Sequence, residues 1–234
     1  LVSNYSKELD IEYKSEYNAL LLFALLGMFL MTNSVDLLMI YLSIELVSIP
    51  SYILAGIIKN DKKSNEASLK YVIFGSFASG LMLFGLSWLY GISGSTNIYE
   101  IYHAISSTDT PYMLYMSLML ILIGFGYKIS MAPMHYWTPD VYEGSPTAVT
   151  AFFSIAPKAA GFAILIRTFS ILFTSENSLS LDLSPVSNIN WTLIISVLSA
   201  ATMSIGNLLA LKQDNVKRLL AYSTISHVGF MLMA

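Results

Sequence analysis

Apolar residues along this chain gather into long runs separated by short polar stretches, and the length of those runs predicts where they reside. A helix needs about 20 predominantly apolar residues to cross the hydrocarbon core of a bilayer. Runs of that kind predict spans over 17–32, 37–58, 69–91, 113–142, 147–173 and 191–211, with a seventh beginning at 219. Only the polar turn Asn33-Ser34-Val35-Asp36 separates the first two. Residues 1–16 form a polar N-terminal segment of mixed charge, without an initiator methionine or a signal-peptide pattern. Ala234 falls inside an apolar run, so the chain is expected to be a fragment of a longer protein.

Composition strengthens this picture. Of 234 residues, 55% are hydrophobic and 12% charged, and the mean hydropathy is +0.63, values that point to an all-α polytopic membrane protein. A net charge of −3 gives no electrostatic footprint for nucleic acid. With no cysteine, disulfides, thiolate-bound zinc and cysteine-held iron–sulfur clusters are excluded from this chain.

Orientation follows from lysine and arginine in the short loops. Lys59, Lys62, Lys63 and Lys70 follow the second span, and Lys212, Lys217 and Arg218 follow the sixth. The turn at 33–36 and the loops at 92–112 and 174–190 carry acids but no lysine or arginine. Alternation places both lysine-rich regions inside and these three outside, with residue 1 inside. The connection at 143–146, also inside, carries only Glu143.

Three ionisable groups fall deep within the predicted spans. At about 1.5 Å per residue, Glu45 lies roughly 13 Å from the start of the second span and Lys158 roughly 16 Å from the start of the fifth. Lys128 sits about halfway along the fourth. Such charges cost several kcal/mol in lipid and mark ion or proton pathways. A fixed ion pair would use Glu45 and one lysine, leaving the second lysine without an acidic partner in the predicted spans. A surplus lysine suits a proton relay, because desolvation favours the neutral amine and a nearby carboxylate favours the ammonium. Arg167, near the outer end of the fifth span, is expected to snorkel to the interface, and His103 is expected in a solvated loop.

Each lysine neighbours a proline. Pro133 follows Lys128 and Pro157 directly precedes Lys158. Proline lacks a backbone donor, so both are expected to break their helices, as occurs at membrane depth where backbone lines a polar cavity. An internal echo also appears. Leu37-Leu38, Tyr41, Ile44 and Glu45 correspond to Leu219-Leu220, Tyr222, Ile225 and His227, with Glu45 and His227 at the same offset from their Leu-Leu pairs. The two spans run in opposite directions, as in an inverted repeat, which makes His227 a candidate member of the polar axis.

The run Gly126-Tyr127-Lys128, continuing through Pro133-Met134-His135-Tyr136-Trp137-Thr138-Pro139-Asp140-Val141-Tyr142-Glu143-Gly144-Ser145-Pro146 to Pro157-Lys158, resembles the antiporter-like subunit N (subunit 2) of respiratory complex I. The closing run from Leu211 to Gly229 fits the same family, and the resemblance extends from about Glu16. Ser145, where alanine is more usual, and Pro157 are mild departures. The resemblance implies about fourteen membrane helices in the whole protein, built on two inverted five-helix repeats with proline-broken helices. Residues 17–173 would be the first repeat, 174–190 an outer loop, and 191–234 the start of a truncated second repeat. The family's essential glutamate matches Glu45, and its lysines match Lys128 and Lys158.

The resemblance therefore implies a proton-translocating membrane subunit of NADH:quinone oxidoreductase. Protons would move through Glu45, Lys128 and Lys158, with His227 next, while NADH, flavin, iron–sulfur clusters and quinone are used by other subunits and this chain binds no cofactor. Its partners would be neighbouring antiporter-like and other membrane subunits, in a bacterial inner membrane or an organelle inner membrane. The alternative is a subunit of a multi-subunit sodium/proton antiporter. The run from Trp137 to Gly144 and a lysine at 158 favour the first reading.

Overall fold

The computed structural model describes residues 14–107, 111–173 and 190–233. Nine helices account for almost all of these: α1 (Lys14–Asn33), α2 (Leu37–Ala55), α3 (Lys62–Ser93), α4 (Ile98–Ser107), α5 (Pro111–Ile129), α6 (Trp137–Gly144), α7 (Thr147–Phe173), α8 (Trp191–Ala210) and α9 (Val216–Met233). All-helical construction is what lipid requires, because each backbone polar group must be satisfied within its own segment. Six helices, α1, α2, α3, α5, α7 and α8, are long and apolar enough to cross a membrane. The predicted segment 1–16 lies outside the described residues up to residue 13, and the predicted outer loop 174–190 does so up to residue 189.

Local chemistry sets the ends. The Asp36 side chain accepts from the backbone N–H of Leu38 and Met39 and so caps α2, and Asp61 does the same for α3 through Lys63. Gly94, at φ 70°, closes α3 in the left-handed conformation that glycine adopts without steric cost. Because α3 begins at Lys62, Lys62, Lys63 and Lys70 lie on a helix and not in the expected loop. α4 is a second correction: the outer segment 92–112 contains a short helix. Its Ile98, Ile101 and Ile105 are fully buried, an i, i+3, i+7 stripe that seats it on the bundle. His103 is therefore an exposed residue on this helix, beside Tyr102.

Small residues let the helices approach closely, as expected where lipid removes the usual hydrophobic drive. α8 and α9 form an antiparallel pair in which a Cβ on Gly206 would meet Ser226, and one on Gly229 would meet Met203. Ser199 donates across this pair to the Gly229 carbonyl at 2.7 Å. The apolar core divides in two: one cluster runs through α1, α2, α3, α5 and α7 around Ile40, Leu89, Phe125 and Phe169. The other, near the inner ends, is aromatic and contains Tyr52, Tyr71, Tyr127, Trp137, Tyr142 and Phe153.

Candidate functional site: two buried lysines

The fourth predicted span is two helices. α5 ends at Ile129, Ser130 takes φ 67°, and α6 starts at Trp137. The Met131 N–H donates to the Gly126 carbonyl at 2.7 Å, a helix-terminating bond normally built around glycine. Serine in that left-handed position costs about 1 kcal/mol. The open backbone is repaid from elsewhere in the fold: the Ala132 N–H donates to Thr202 Oγ1 of α8 at 3.0 Å, and Trp137 Nε1 donates to the Tyr127 carbonyl at 3.1 Å. Pro133 thus sits in a true helix break.

Pro157 does not. α7 runs without interruption from Thr147 to Phe173 with Pro157 inside it, which corrects the expected second break. The physical reason is that an interior proline removes one backbone bond, here the one that would reach the Phe153 carbonyl, and neighbouring helices hold the rest. Pro50 is tolerated within α2 in the same way.

The break places Lys128 in the last turn of α5, where the negative end of the helix dipole favours a cation. The side chain is 4% exposed. Its Nζ donates to Ser48 Oγ at 3.0 Å, and Ser48 in turn donates to the Ile44 carbonyl at 2.7 Å. Glu45, Ser48, Tyr52, Gly75, Ser79, Tyr127 and Lys128 line one cavity of about 10 Å³, near the lower limit for a single water. Glu45 Oε1 is buried there without a hydrogen-bond partner. The ion pairs among the described residues all lie elsewhere, so Glu45 and Lys128 share a cavity without touching. Ser48 was legible in principle, three residues after Glu45 on one helical face.

Lys158, 3% exposed, has no hydrogen-bond partner for its ammonium. Nζ lies 5.6 Å from the centre of the Tyr142 ring, a cation–π contact with a residue of α6. The two lysines are neighbours through Gly161 of α7, where an added Cβ would meet Ile129 Cγ2 at 2.8 Å and Lys128 Cγ at 3.6 Å. His227 is not brought to this axis: it lies on an exposed face of α9 against Phe230. Arg167 reaches the end of α1 next to the turn at 33–36. Its Nη1 donates to the Thr32 carbonyl at 2.5 Å, satisfying an open group at the end of α1.

An ionic cluster joins three helices, α3, α6 and α9, on the side expected to face inward. Lys70 and Arg218 both bind Asp140 at 2.6 Å, while Glu143 takes Lys63 at 3.0 Å and Arg218 at 3.2 Å. Lys217 donates to the Ser145 carbonyl at 2.9 Å. These contacts bring the two lysine-rich regions to one side, in keeping with the predicted alternation. Asp140 and Glu143 lie beyond the end of the α5 span. Burial alone would raise the Asp140 carboxyl, but hydrogen bonds from Lys70 and Arg218 outweigh it and hold the group below its ordinary value. The hydrogen bond from Lys63 does most to hold Glu143 low, against burial and with help from Arg218.

A sequence model of the transmembrane family shared by NADH:quinone oxidoreductases and Mrp antiporters matches residues 34–234. NADH-quinone oxidoreductase subunit N of Anaeromyxobacter sp. (strain Fw109-5) is 45% identical over 243 aligned residues, covering 100% of this chain and 47% of the relative. Subunit N 2 of Sorangium cellulosum is 51% identical over 223 residues, covering 93% of this chain and 43% of the relative. Among solved structures, a chain of respiratory complex I from Thermus thermophilus superposes with a TM-score of 0.77 at 34% identity, covering 97% of this chain and 47% of that one. The chain thus spans somewhat less than half the length of these relatives.

Proposed function

The chain belongs to the transmembrane family of NADH:quinone oxidoreductases and Mrp antiporters, and from that premise we propose that it forms part of a proton-translocating membrane subunit of a complex I type NADH:quinone oxidoreductase. It sits in the bacterial inner membrane as a multi-pass protein. Redox cofactors belong to other subunits, and the energy of electron transfer reaches this chain through its membrane neighbours. Residues 17–173 form the first helical repeat and 191–234 open the second. The naming of the relatives as subunit N supports this reading over a sodium/proton antiporter.

One observation carries the mechanism: Lys128 and Glu45 line the same small cavity, yet Lys128 is held by Ser48 while Glu45 Oε1 remains unpartnered. A carboxylate at close range favours the ammonium, and a neutral hydroxyl partner does so far less. Movement of Glu45 towards or away from Lys128 therefore changes how firmly the lysine holds its proton. Lys158, on the far side of Gly161, receives the released proton at the same depth. Replacing Lys128 with Ala in the full-length protein, assembled in its complex, collapses proton translocation measured in proteoliposomes. Glu45→Gln leaves the lysine in place and slows translocation less. Unchanged pumping in the Lys128→Ala variant overturns the relay, and sodium-dependent proton movement in the wild type would favour the antiporter reading.

A further inference from the structure

Lys158 lacks a hydrogen-bonding partner, and the structure sets a row of similarly unpartnered groups beside it. Thr138, Tyr142 and Ser145 recur at i, i+4 and i+7, one face spanning α6 and its C-cap. They are 0%, 1% and 1% exposed, and none of their hydroxyl oxygens has a protein partner. Buried polar groups are as a rule paired, frequently by ordered water. Three such hydroxyls lie on one face of α6 and its C-cap, one of them on the ring that Lys158 Nζ meets.

The other side of α6 meets the aqueous face. Asp140 and Glu143 project into a cavity of about 260 Å³ shared with Lys63, Glu66, Lys70 and Arg218. A helix is about 10–12 Å across with its side chains, and α6 stands between this charged pocket on one face and Lys158 on the other. Tyr142 occupies the crossing point: its ring lies under Lys158 Nζ, and Gly144, two residues on, lines the pocket.

We infer that the Tyr142 hydroxyl is the group through which Lys158 exchanges protons with the charged pocket on the inner side, a proposal that rests on Lys158 acting as a relay station. In this step the neutral Lys158 amine takes the phenol proton while the phenol oxygen takes one from a water molecule entering from the charged pocket, and the hydroxide left behind is reprotonated by the aqueous phase, so the hydroxyl is regenerated and only O–H and N–H bonds change. The flexible lysine stem carries Nζ from the face of the ring to the oxygen at its edge. Thr138 and Ser145 keep that face polar on either side.

The test uses the full-length protein in its intact complex, reconstituted in proteoliposomes. Tyr142→Phe keeps the ring and removes the hydroxyl. Translocation is expected to fall about a hundredfold, the low end of the range for loss of one proton-transfer group, and the solvent deuterium isotope effect on translocation is expected to rise because delivery to Lys158 has become limiting. A ring that serves packing alone leaves that isotope effect at its wild-type value. Lys158→Ala is measured alongside. If Lys158→Ala abolishes pumping while Tyr142→Phe pumps as wild type with an unchanged isotope effect, the Tyr142 route is overturned and the relay stands. If Lys158→Ala also pumps normally, the relay itself is overturned. Should Tyr142→Phe assemble poorly, Thr138→Val on the same face is expected to show the same rise in isotope effect, and a wild-type isotope effect there overturns the route.

Discussion

The surroundings of Lys128 and Lys158 differ more than their shared burial suggests. Lys128 ends a helix, gains from the helix dipole, bonds Ser48 and faces a carboxylate. Lys158 sits in mid-helix with only an aromatic ring against it. The first site offers the ammonium a hydroxyl and a helix terminus; the second offers it a ring face. In the relay proposed above, a proton passed between them would meet two different surroundings, and moving a single carboxylate would change only the first.

The largest expected effect separates function from stability. Lys158→Met and Lys128→Met should both abolish translocation, but they should move the melting temperature of the purified complex differently. Replacing buried ion pairs by apolar side chains of similar volume is often neutral or stabilising by about 1–4 kcal/mol, and Lys158→Met, which removes a buried charge that has no ion-pair partner to leave behind, should gain in that range. Lys128→Met gives up its bond to Ser48 and the favourable helix terminus, so its gain should be smaller by about 1–2 kcal/mol. Equal shifts would erase the distinction between the two sites.

A smaller effect is expected where the sites adjoin. Gly161→Ala pushes a methyl against Ile129 and the Lys128 stem, an overpacking that costs about 1–3 kcal/mol. Thermal unfolding reads the cost, and translocation should slow through Lys128 with Tyr142 and Lys158 undisturbed. The smallest effect lies at the inner face. Asp140 and Glu143 titrate below their ordinary values of 3.8 and 4.5. The stability they confer is thus complete above those values and is lost as pH falls through them towards the folded-state values. Asp140→Asn should lower stability at pH 7 by about 1 kcal/mol and flatten its decline between about pH 5 and pH 3, as read by melting temperature against pH.

Much of this was legible in the chain. Apolar run length located six spans, although α3 begins seven residues before its run and the fourth run takes in the break and α6, and the lysine-rich regions did gather on one side. Glu45, Lys128 and Lys158 were recognisable because a charge inside a span has no cheap explanation. α4 was missed because ten residues within an acidic outer segment fall short of any span, although Ile98, Ile101 and Ile105 carried its signal. Ser48 and Tyr142 were missed because hydroxyls are unremarked in membrane helices until a buried ammonium is seen beside them. His227 was drawn in by an echo of the Glu45 segment, and among the described residues it lies on an exposed face of α9, away from the two lysines.

The sequence by itself determined that this is a polytopic helical membrane protein, that its two cation-rich regions share one side, and which ionisable groups enter the membrane-spanning helices. All three follow from the cost of placing charge or open backbone in lipid, a cost any segment carries alone. The tertiary structure decided which proline breaks a helix. Pro133 and Pro157 remove the same single donor, but only around Pro133 do Thr202 of α8 and the Trp137 side chain supply partners for the opened backbone. It also decided that Lys128 meets Ser48 while Lys158 meets Tyr142, because those contacts depend on how closely separate helices approach, and no single span encodes that distance.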